Sequence, residues 1–517
     1  MHDAEFVSGP RLILQSLASR PDRTAVVTAD GAEVTAGEFA AATYRLAHEL
    51  IARGVVRGTT VTLLTGNTPE ALSARYAAGL AGARVVNLYD GMSTPVLAEI
   101  TASVDTAVLL VDAERYAEAP ELLPLTDVPT VLTLGPGPTD GGVPAIGEDA
   151  LAASAHRPAE PPDVRIGPED DLSIRHTGGT TGIPKGILSL HGPYRGVFDA
   201  PVGSDPADGV PHLLAATPLA HLAGIMSDLV LHRGGTVVLQ RSFEPGAVLA
   251  AIERERITDL WLLPPLLHQL LDHPAIGRTD LSSLRHVLYG GSAASPTRIR
   301  EARKVFGPVL FGVYGMSEAQ LISLLTPAEH DRIGPGGQVP VGRPVPGVEV
   351  AIRSFDGTDL PTGEQGEIHL RSAAVMAGYW KRPDLTAEVL RDGWLNTGDV
   401  GYFDEDGYLY LSDRAKDLII VVGGHVYPSE VEDLLVTHPA VARCAVFGVR
   451  DDQEAEHVHV AVVPAPGQRP RLDDLRAYVT ERKGRIFAPE ALHLVDEIPL
   501  TPVGKPDKKR LREAATA

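Results

Sequence analysis

Short apolar runs alternate with alanine-rich stretches of helical periodicity in the first part of the chain. Buried strands are predicted at 61–64, 85–88 and 107–111, with helices at 36–53 and 69–81. A second alternation follows, with strands predicted at 213–216, 236–240, 259–263, 287–289 and 309–313. Strands that alternate with helices are typical of a doubly wound α/β layer, so two such sheets are expected. Between the alternations, segment 135–168 is rich in Pro, Gly, Ala and acidic residues and is predicted to be surface loop.

The pattern changes after Gly334, where short β-like runs are broken by Gly, Pro and Asp turns. These runs, at 347–353, 366–371 and 407–411, indicate a small β unit. The last hundred or so residues have their own α+β pattern, with helices predicted at 429–437 and 472–482, strands at 440–447 and 457–463, and a basic tail at 505–510. The expected fold class is therefore α/β. A large N-terminal domain, 1–412, carries two doubly wound sheets and the β unit, and a small α+β C-terminal domain covers 413–517.

Composition narrows the class of protein. A chain of 517 residues is too long for a single core, and 44% hydrophobic with 22% charged residues is ordinary for a globular enzyme. The net charge of −21 argues against a general nucleic-acid or anionic-membrane surface. A single cysteine, Cys444, excludes an internal disulfide and fits a reducing compartment. With no signal-peptide pattern at the start and no run near the roughly 18–20 apolar residues of a membrane span, a soluble cytoplasmic protein is expected.

A loop rich in glycine and threonine, Thr177 to Gly186, follows a strand predicted at 172–174. Its backbone N–H groups and hydroxyls can close around an anion, and Lys185 adds a full positive charge. The loop is not a Walker A loop, because Pro184 precedes the lysine and glycine follows it. Such a loop suits a polyphosphate, although a surface turn would look similar.

Three further clusters carry chemistry. Tyr314 to Glu318 place an aromatic ring, a hydroxyl and a carboxylate at the end of a predicted strand, where ligands bind in open α/β sheets. Asn396 to Asp399 end in a carboxylate that could accept two ribose hydroxyls. Gly504 and Lys505 put a cation on a loop near the C-terminus. The structural alternatives are a strand-to-loop turn, an Asp turn residue and a solvated tail.

In this order and spacing, these segments resemble the motifs of the adenylate-forming superfamily, which includes acyl-CoA synthetases, adenylation domains and beetle luciferases. Segment 177–186 is similar to the Ser/Thr-Gly-Thr-Thr-Gly-x-Pro-Lys-Gly motif, 314–319 to Tyr-Gly-x-Thr/Ser-Glu, 394–401 to Trp-x-x-Thr-Gly-Asp, 413–417 to the hinge motif and 502–505 to the terminal Gly-Lys loop. The resemblance covers nearly the whole chain.

The resemblance implies that a carboxylate attacks the α-phosphate of Mg-ATP, releasing pyrophosphate and leaving an acyl-adenylate. The implied ATP-binding residues are Thr177, Gly178, Gly179, Thr180, Thr181, Gly182, Lys185, Gly291, Ser292, Ala293, Tyr314, Gly315, Ser317, Glu318, Asp399, Arg414 and Lys505. The implied catalytic residues are Lys505, Thr181, Glu318 and His221, with Glu318 as the Mg²⁺ ligand. Lys416 stands at the hinge about which a mobile small domain would swing, and Gly423 and Gly424 stand at the expected CoA tunnel.

The expected substrate pocket consists of Arg175, His176, His221, Ala223, Gly315, Leu321 and Ile322, and suits an aryl or medium acyl carboxylate. Segment 217–224 has no acid to pair an α-amine, which argues against an amino-acid substrate. His221 resembles a histidine of acyl- and aryl-CoA ligases, with a packed core histidine as the alternative. Arg175 and His176 depart from the uncharged residues that usually precede the loop, and a buried pair would need a polar or anionic partner. Arg175 could instead point to solvent.

The expected function is AMP-forming activation of a carboxylic acid with ATP and Mg²⁺, followed by transfer to CoA. The glycine pair at 423–424 stands one residue later than in many synthetases, so a second hypothesis stays open. In that hypothesis a tailoring enzyme of secondary metabolism passes the activated group to an amine, a carrier-protein thiol or a nitrite-derived acceptor. A non-catalytic relative is a third hypothesis, against which the retained motif residues argue. The expected partners are the small acid and its acceptor, without nucleic acid or membrane, and a homodimer is kept as a possible assembly.

Overall fold

A computed structural model gives the fold. It describes residues 6–90, 92–137, 145–177, 185–199, 209–292, 294–334, 338–414, 419–421, 424–426, 428–450, 456–501 and 506–516. The chain is mixed α/β, with a large N-terminal domain built on parallel strands and a small C-terminal domain, which confirms the predicted fold class. Within the described residues, no helix has both the length and the apolar character needed to cross a membrane.

The first alternation forms as predicted, with the ends of its elements shifted by a single residue. In chain order its elements are α1 (Gly9–Ala18), β1 (Thr24–Val27), β2 (Glu33–Thr35), α2 (Ala36–Ala52), β3 (Thr60–Leu64), α3 (Pro69–Leu80), β4 (Arg84–Asn87), α4 (Thr94–Ser103), β5 (Thr106–Asp112), α5 (Ala119–Leu122), β6 (Thr130–Leu134), β7 (Glu148–Asp149) and α6 (Ala150–Ser154). The last two lie in segment 135–168, so the prediction of loop throughout that segment was wrong. Asp149 caps α6 by accepting the N–H groups of Leu151 and Ala152.

The second alternation also forms, and its last parallel strand is longer than predicted. Its elements are β8 (Asp171–Thr177), β9 (Lys185–Leu190), α7 (His191–Arg195), β10 (His212–Ala215), α8 (Leu222–His232), β11 (Thr236–Leu239), α9 (Pro245–Arg254), β12 (Asp259–Leu262), α10 (Pro264–Asp272), β13 (His286–Gly290), α11 (Pro296–Phe306), β14 (Leu310–Met316), β15 (Gln320–Leu325) and β16 (Arg343–Pro344). Because β14 runs to Met316, the start of the Tyr314 motif lies inside a strand rather than after one.

The β unit and the small domain follow. The β unit contains β17 (Val348–Arg353), β18 (Gly366–Ser372), β19 (Gly378–Tyr379), α12 (Pro383–Val389), β20 (Leu390–Arg391), β21 (Trp394–Phe403) and β22 (Leu409–Arg414). The small domain contains β23 (Ile419–Val421), β24 (Gly424–Val426), α13 (Pro428–Leu435), β25 (Val441–Arg450), β26 (Glu456–Pro464), α14 (Leu472–Lys483), β27 (Ala491–Leu494) and α15 (Lys508–Thr516). The proposed domain boundary, between 412 and 413, falls within β22.

The second half of the predicted basic tail, from Lys508, is helical and forms the start of α15. In α15, Leu511 is buried, and Arg512 Nε donates a hydrogen bond to the Gly448 carbonyl of β25 at 3.1 Å. Lys508 also pairs with Glu432 of α13 at 3.0 Å. Because the tail is rich in basic residues, its sequence did not indicate that α15 packs on the small domain through an apolar face that includes Leu511.

The two large sheets exchange strands. One has the order β16-β15-β14-β13-β12-β10-β11-β1-β2, and the other β19-β9-β8-β4-β3-β5-β6-β7. Strand β1 belongs to the first alternation but pairs in parallel with β11 of the second, and β19 of the β unit pairs antiparallel with β9. A large apolar cluster joins α1, α2, α3 and α8 between the sheets. The parallel strands therefore present their carboxyl ends to a common cleft.

Candidate active site

A cleft of about 3020 Å³ lies where the parallel strands end. Residues following β4, β10, β12 and β13 border it, as do the end of β14 and residues 396–399 within β21. The small domain closes it with residues that include Ser429, Glu432 and Lys508. This is the edge at which an open α/β sheet binds its ligands. Two walls of the cleft carry the residues singled out in the sequence.

The first, here called the carboxylate wall, consists of Tyr314, Glu318, Tyr379 and Asp399. The buried Tyr314 hydroxyl donates to Asp399 Oδ2 at 2.8 Å, which joins β14 to β21. Asp399 lies at an irregularity within β21, where Gly398 N donates to the Asn396 side chain at 2.8 Å. Gly398 has a φ of +69°, a conformation that favours glycine. This segment is therefore part of a strand and not a simple Asp turn, and it holds a carboxylate at the cleft.

Glu318 and Tyr379 form the other pair of the carboxylate wall. The Tyr379 hydroxyl donates to Glu318 Oε1 at 3.0 Å, and Glu318 is buried at the edge of the cleft. Burial, with the Glu318 carboxylate nearby, raises the pKa of Tyr379, so the phenol keeps its proton and stays a donor. Lys185 Nζ lies 5.0 Å from the centre of the Tyr379 ring. An oriented carboxylate and a lysine thus border the same part of the cleft.

The second, here called the histidine wall, consists of Tyr89, Arg175 and His221. The His221 ring stacks on Tyr89 with centroids 4.3 Å apart. Burial, with a smaller contribution from Arg175, lowers the pKa of His221 to about 4, so the imidazole is neutral at pH 7. Burial raises the pKa of Tyr89 to about 12. His221 therefore borders the cleft as a neutral ring. The alternative interpretation, a histidine packed in the core away from any ligand site, does not describe this position.

Arg175 and His176 face opposite sides of β8. Arg175 is half-buried, and its Nη2 donates to the Ser317 carbonyl in the cleft at 3.2 Å. The His176 ring instead packs against Gly186, on the same side of β8 as Ile174. A Cβ built on Gly186 would lie 3.2 Å from His176 Nε2 and 2.7 Å from Ile174 Cγ2. Burial lowers the pKa of His176 to about 4. Arg175 therefore faces the cleft, and the alternative in which it points to solvent is wrong. His176 borders the cleft, but its imidazole lies on the packed side of the strand.

Asn67 ties the two sheets together behind the histidine wall. Its buried amide donates to the carbonyls of Ala215, Thr217 and Gln240 at 3.4, 3.0 and 2.9 Å. Its Oδ1 accepts the Leu219 N–H at 2.9 Å. A single side chain on the loop after β3 therefore fixes the loop that leads to His221.

Other predicted residues fall into three groups. Gly291, Ser292, Gly315, Ser317 and Leu321 border the cleft. Ser292 Oγ is a buried atom with no hydrogen-bond partner among the described residues, which suits a polar ligand group. Gly315 admits no side chain, since a Cβ would lie 2.3 Å from the Gln320 carbonyl.

Two predicted pocket residues lie elsewhere. Ile322 is fully buried in the core and Ala223 nearly so, and neither borders the cleft. Leu321 and Ile322 are neighbours on a strand, so only one of them can face the cleft. On α8, the cleft is bordered by Leu222 and Ile225, whereas Ala223 faces the main core.

Several predicted residues lie outside the described part of the chain: Gly178, Gly179, Thr180, Thr181, Gly182, Ala293, Lys416, Gly423 and Lys505. Thr501 and Pro506, on either side of the segment with Lys505, border the cleft. Arg414 is the backbone partner of Asp399 across β21 and β22, and Gly424 lies in the β23–β24 hairpin. Among the described residues, no group of three or more His, Cys, Asp or Glu side chains is arranged to hold a metal ion.

Sequence reasoning missed Tyr89, Tyr379 and Asn67. Tyr89 lies two residues after the buried parallel strand β4, at the position where ligand contacts are expected, and could have been found by that signal. Tyr379 reaches Glu318 only because β19 joins β9, and nothing local to its sequence indicates that pairing. Asn67 acts through contacts with residues about 150 positions away.

The comparisons with known proteins identify the family. The AMP-binding enzyme family matches residues 14–380, and the AMP-binding enzyme C-terminal domain matches 430–505. The feruloyl-CoA synthase of an Amycolatopsis species is 37% identical over 512 residues, covering 96% of this chain and 99% of that protein. The amide bond synthetase McbA from Marinactinospora thermotolerans shares 40% identity at a TM-score of 0.87, covering 97% of this chain and 99% of that one.

A further structure, ATP-bound MatB from Rhodopseudomonas palustris, shares 26% identity at a TM-score of 0.86 and covers 98% of this chain and 99% of that one. The order of motifs, the fold and the family match agree over nearly the whole sequence. The chain therefore belongs to the AMP-binding enzyme family of the adenylate-forming superfamily, as an AMP-forming enzyme of the acyl-CoA ligase type that adenylates carboxylic acids with ATP.

Proposed function

We propose that this enzyme activates an aryl or medium acyl carboxylic acid with Mg-ATP and then transfers the acyl group to CoA. The observation that carries this proposal is the meeting of the two walls in one cleft. The carboxylate wall presents paired polar groups, while the histidine wall continues into apolar residues, among them Leu222, Ile225 and Met226. A nucleotide at the first wall and an apolar acid at the second would bring the α-phosphate and the carboxylate together.

The carboxylate wall fits Mg-ATP. Asp399 offers acceptors for ribose hydroxyls, and Ser292 Oγ offers a buried polar atom for the base. Glu318 fits Mg²⁺, because the ion favours carboxylate oxygen together with phosphate and water ligands. Tyr379 bonds one Glu318 oxygen, Oε1, and so orients the carboxylate. When bound, Mg²⁺ neutralises phosphate charge, and Lys185 and Lys505 would hold the departing phosphates and the reacting carboxylate.

The histidine wall supports an aryl or medium acyl substrate. A stacked pair of neutral rings beside apolar side chains favours a flat or aliphatic body in the acid. The similar feruloyl-CoA synthase is named for an aryl acid, which agrees with this assignment. We also propose that residues 1–412 and 413–517 form the two domains between which the cleft opens.

An amine is the second candidate acceptor. The amide bond synthetase McbA is 40% identical to this chain, and the glycine pair at 423–424 is displaced relative to many CoA-using relatives. A carrier-protein thiol or a nitrite-derived species would meet the same acyl-adenylate. These acceptors differ in the second step only.

Pyrophosphate release tests the first step, and product mass tests the second. The purified enzyme is incubated with Mg-ATP and a panel of aryl and medium-chain acids, alone, with CoA, and with a primary amine. We expect pyrophosphate release that needs both acid and Mg²⁺, and an acyl-CoA as the main product when CoA and amine compete. An amide as the main product would favour the second candidate. If no acid supported release while the protein still bound ATP, the proposal would fail.

A further inference from the structure

Arg175 differs from other shielded arginines of the large domain in its charge partner. Arg75, Arg84 and Arg115 have side chains that are at most 17% exposed, and each pairs with carboxylates. Arg175 is half-buried, yet it forms no ion pair with any described residue. Among the described residues, its guanidinium donates a hydrogen bond to the Ser317 carbonyl at 3.2 Å. A guanidinium has five N–H donors, so most of its bonding capacity faces the cleft without an acceptor from the described chain.

The surroundings of Arg175 on the histidine wall do not supply negative charge. His221 is neutral, and the Tyr89 hydroxyl keeps its proton at pH 7. Leu321 adds an apolar side chain at the same cleft. A cation removed from water without an acceptor is costly, and an anionic or carbonyl oxygen from the substrate would offset that cost.

We propose that Arg175 is a specificity-determining residue that binds a second hydrogen-bond acceptor of the acid substrate, separate from the carboxylate that becomes adenylated. This inference rests on the proposed function and names its substrate class: aryl or medium acyl acids that carry a further carboxylate or carbonyl oxygen. The planar guanidinium can donate two parallel hydrogen bonds to such a group, which ammonium cannot match. His176, on the other face of β8, takes no part in this contact.

Matched acids test the assignment. Adenylation is measured by pyrophosphate release with benzoate against the three benzenedicarboxylates and the three acetylbenzoates, and with octanoate against octanedioate. We expect at least one acceptor-bearing acid to exceed its plain counterpart in kcat/KM by about 30-fold or more. Arg175→Ala should reduce that ratio to near one while the KM for ATP changes less than about twofold, and Arg175→Lys should restore part of it. His176→Phe is the matched control from the opposite face of the strand and should keep the full ratio.

Each other result overturns the assignment. A wild-type ratio near one for every pair would show that no second acceptor is recognised. An equal loss with all acids in Arg175→Ala would place the arginine on the shared carboxylate or on phosphate. Loss of the ratio in His176→Phe would mean that the strand, rather than the guanidinium, sets specificity. Failure of the proposed function is distinguishable, because the wild-type enzyme would then release no pyrophosphate with any acid of the panel.

Discussion

The two walls of the cleft are built differently. In the carboxylate wall, functional side chains bind each other: Tyr314 holds Asp399 at 2.8 Å, and Tyr379 holds Glu318 at 3.0 Å. Each carboxylate is therefore oriented before any ligand binds. This arrangement requires β14, β19 and β21 to meet at one place. Such a preorganised wall suits a ligand that is the same whichever acid is activated, as ATP is.

The histidine wall depends on residues that do not touch the ligand space themselves. His221 stacks on Tyr89, but the loop before it is fixed by Asn67, through bonds to residues following β10 and β11. Arg175 enters from β8 of the other sheet and is held at one point only. Because the histidine wall is assembled from both sheets in this way, its side chains can be substituted without disturbing the paired Tyr and carboxylate groups of the carboxylate wall. We infer that nucleotide and acid recognition can vary independently.

The largest expected effect comes from Lys505, which the proposed function assigns to the phosphates and the reacting carboxylate. Lys505→Ala should lower the rate of adenylate formation about 10²- to 10³-fold, because the proposed role gives this lysine the charge that stabilises the reacting groups. Single-turnover pyrophosphate release measures the effect. Transfer from a supplied acyl-adenylate should change less than about threefold, and the exposed Lys304 on α11 provides the control Lys304→Ala. Equal loss of both half-reactions would refute a separate role for Lys505.

A smaller effect, confined to the carboxylate wall, is expected from Glu318→Gln. The amide keeps the size of the side chain but removes the charge that suits Mg²⁺, so the Mg²⁺ concentration for half-maximal rate should rise about tenfold or more. Tyr379→Phe removes only the orienting bond and should raise it a few-fold, by about 0.5–1.5 kcal/mol. Titration of Mg²⁺ at saturating ATP and acid distinguishes the two variants. An unchanged Mg²⁺ requirement in Glu318→Gln would rule out a role as ion ligand.

The carboxylate wall was largely predictable because its residues stand within short motifs. Tyr314 and Glu318 could be identified from residue type and from their position at the end of a predicted strand, and Asp399 from its carboxylate within the Asn396 to Asp399 cluster. The structure brings all three to one cleft. The strands and helices around them were also predictable from periodicity. The exchange of β1 and β19 between sheets was not, since pairing between distant strands leaves no local pattern.

The histidine wall was predictable only in part, for the same physical reason. Arg175 and His221 could be named as candidates, but strand alternation alone could not say which face of β8 meets the cleft. Ile322 was placed on the wrong side of its strand by the same ambiguity. Asn67 has no motif at all, because its effect arises from the geometry of both sheets.

The last prediction concerns Asn67, and it tests whether the two walls are independent. Asn67→Ala removes hydrogen bonds to the Ala215, Thr217 and Gln240 carbonyls and leaves the Leu219 N–H unpaired. The free energy of unfolding should fall by about 1–3 kcal/mol. Because the loop before His221 is loosened, the KM for the acid should rise about 5- to 10-fold, or ~1–1.4 kcal/mol, with the KM for ATP within about twofold. Thr62→Val is the matched control: its buried hydroxyl bonds Thr106 at 2.7 Å within the same sheet, so it should cost stability without altering either KM. If both KM values rose together in Asn67→Ala, the walls would be coupled through this amide, and the independence of nucleotide and acid recognition would be refuted.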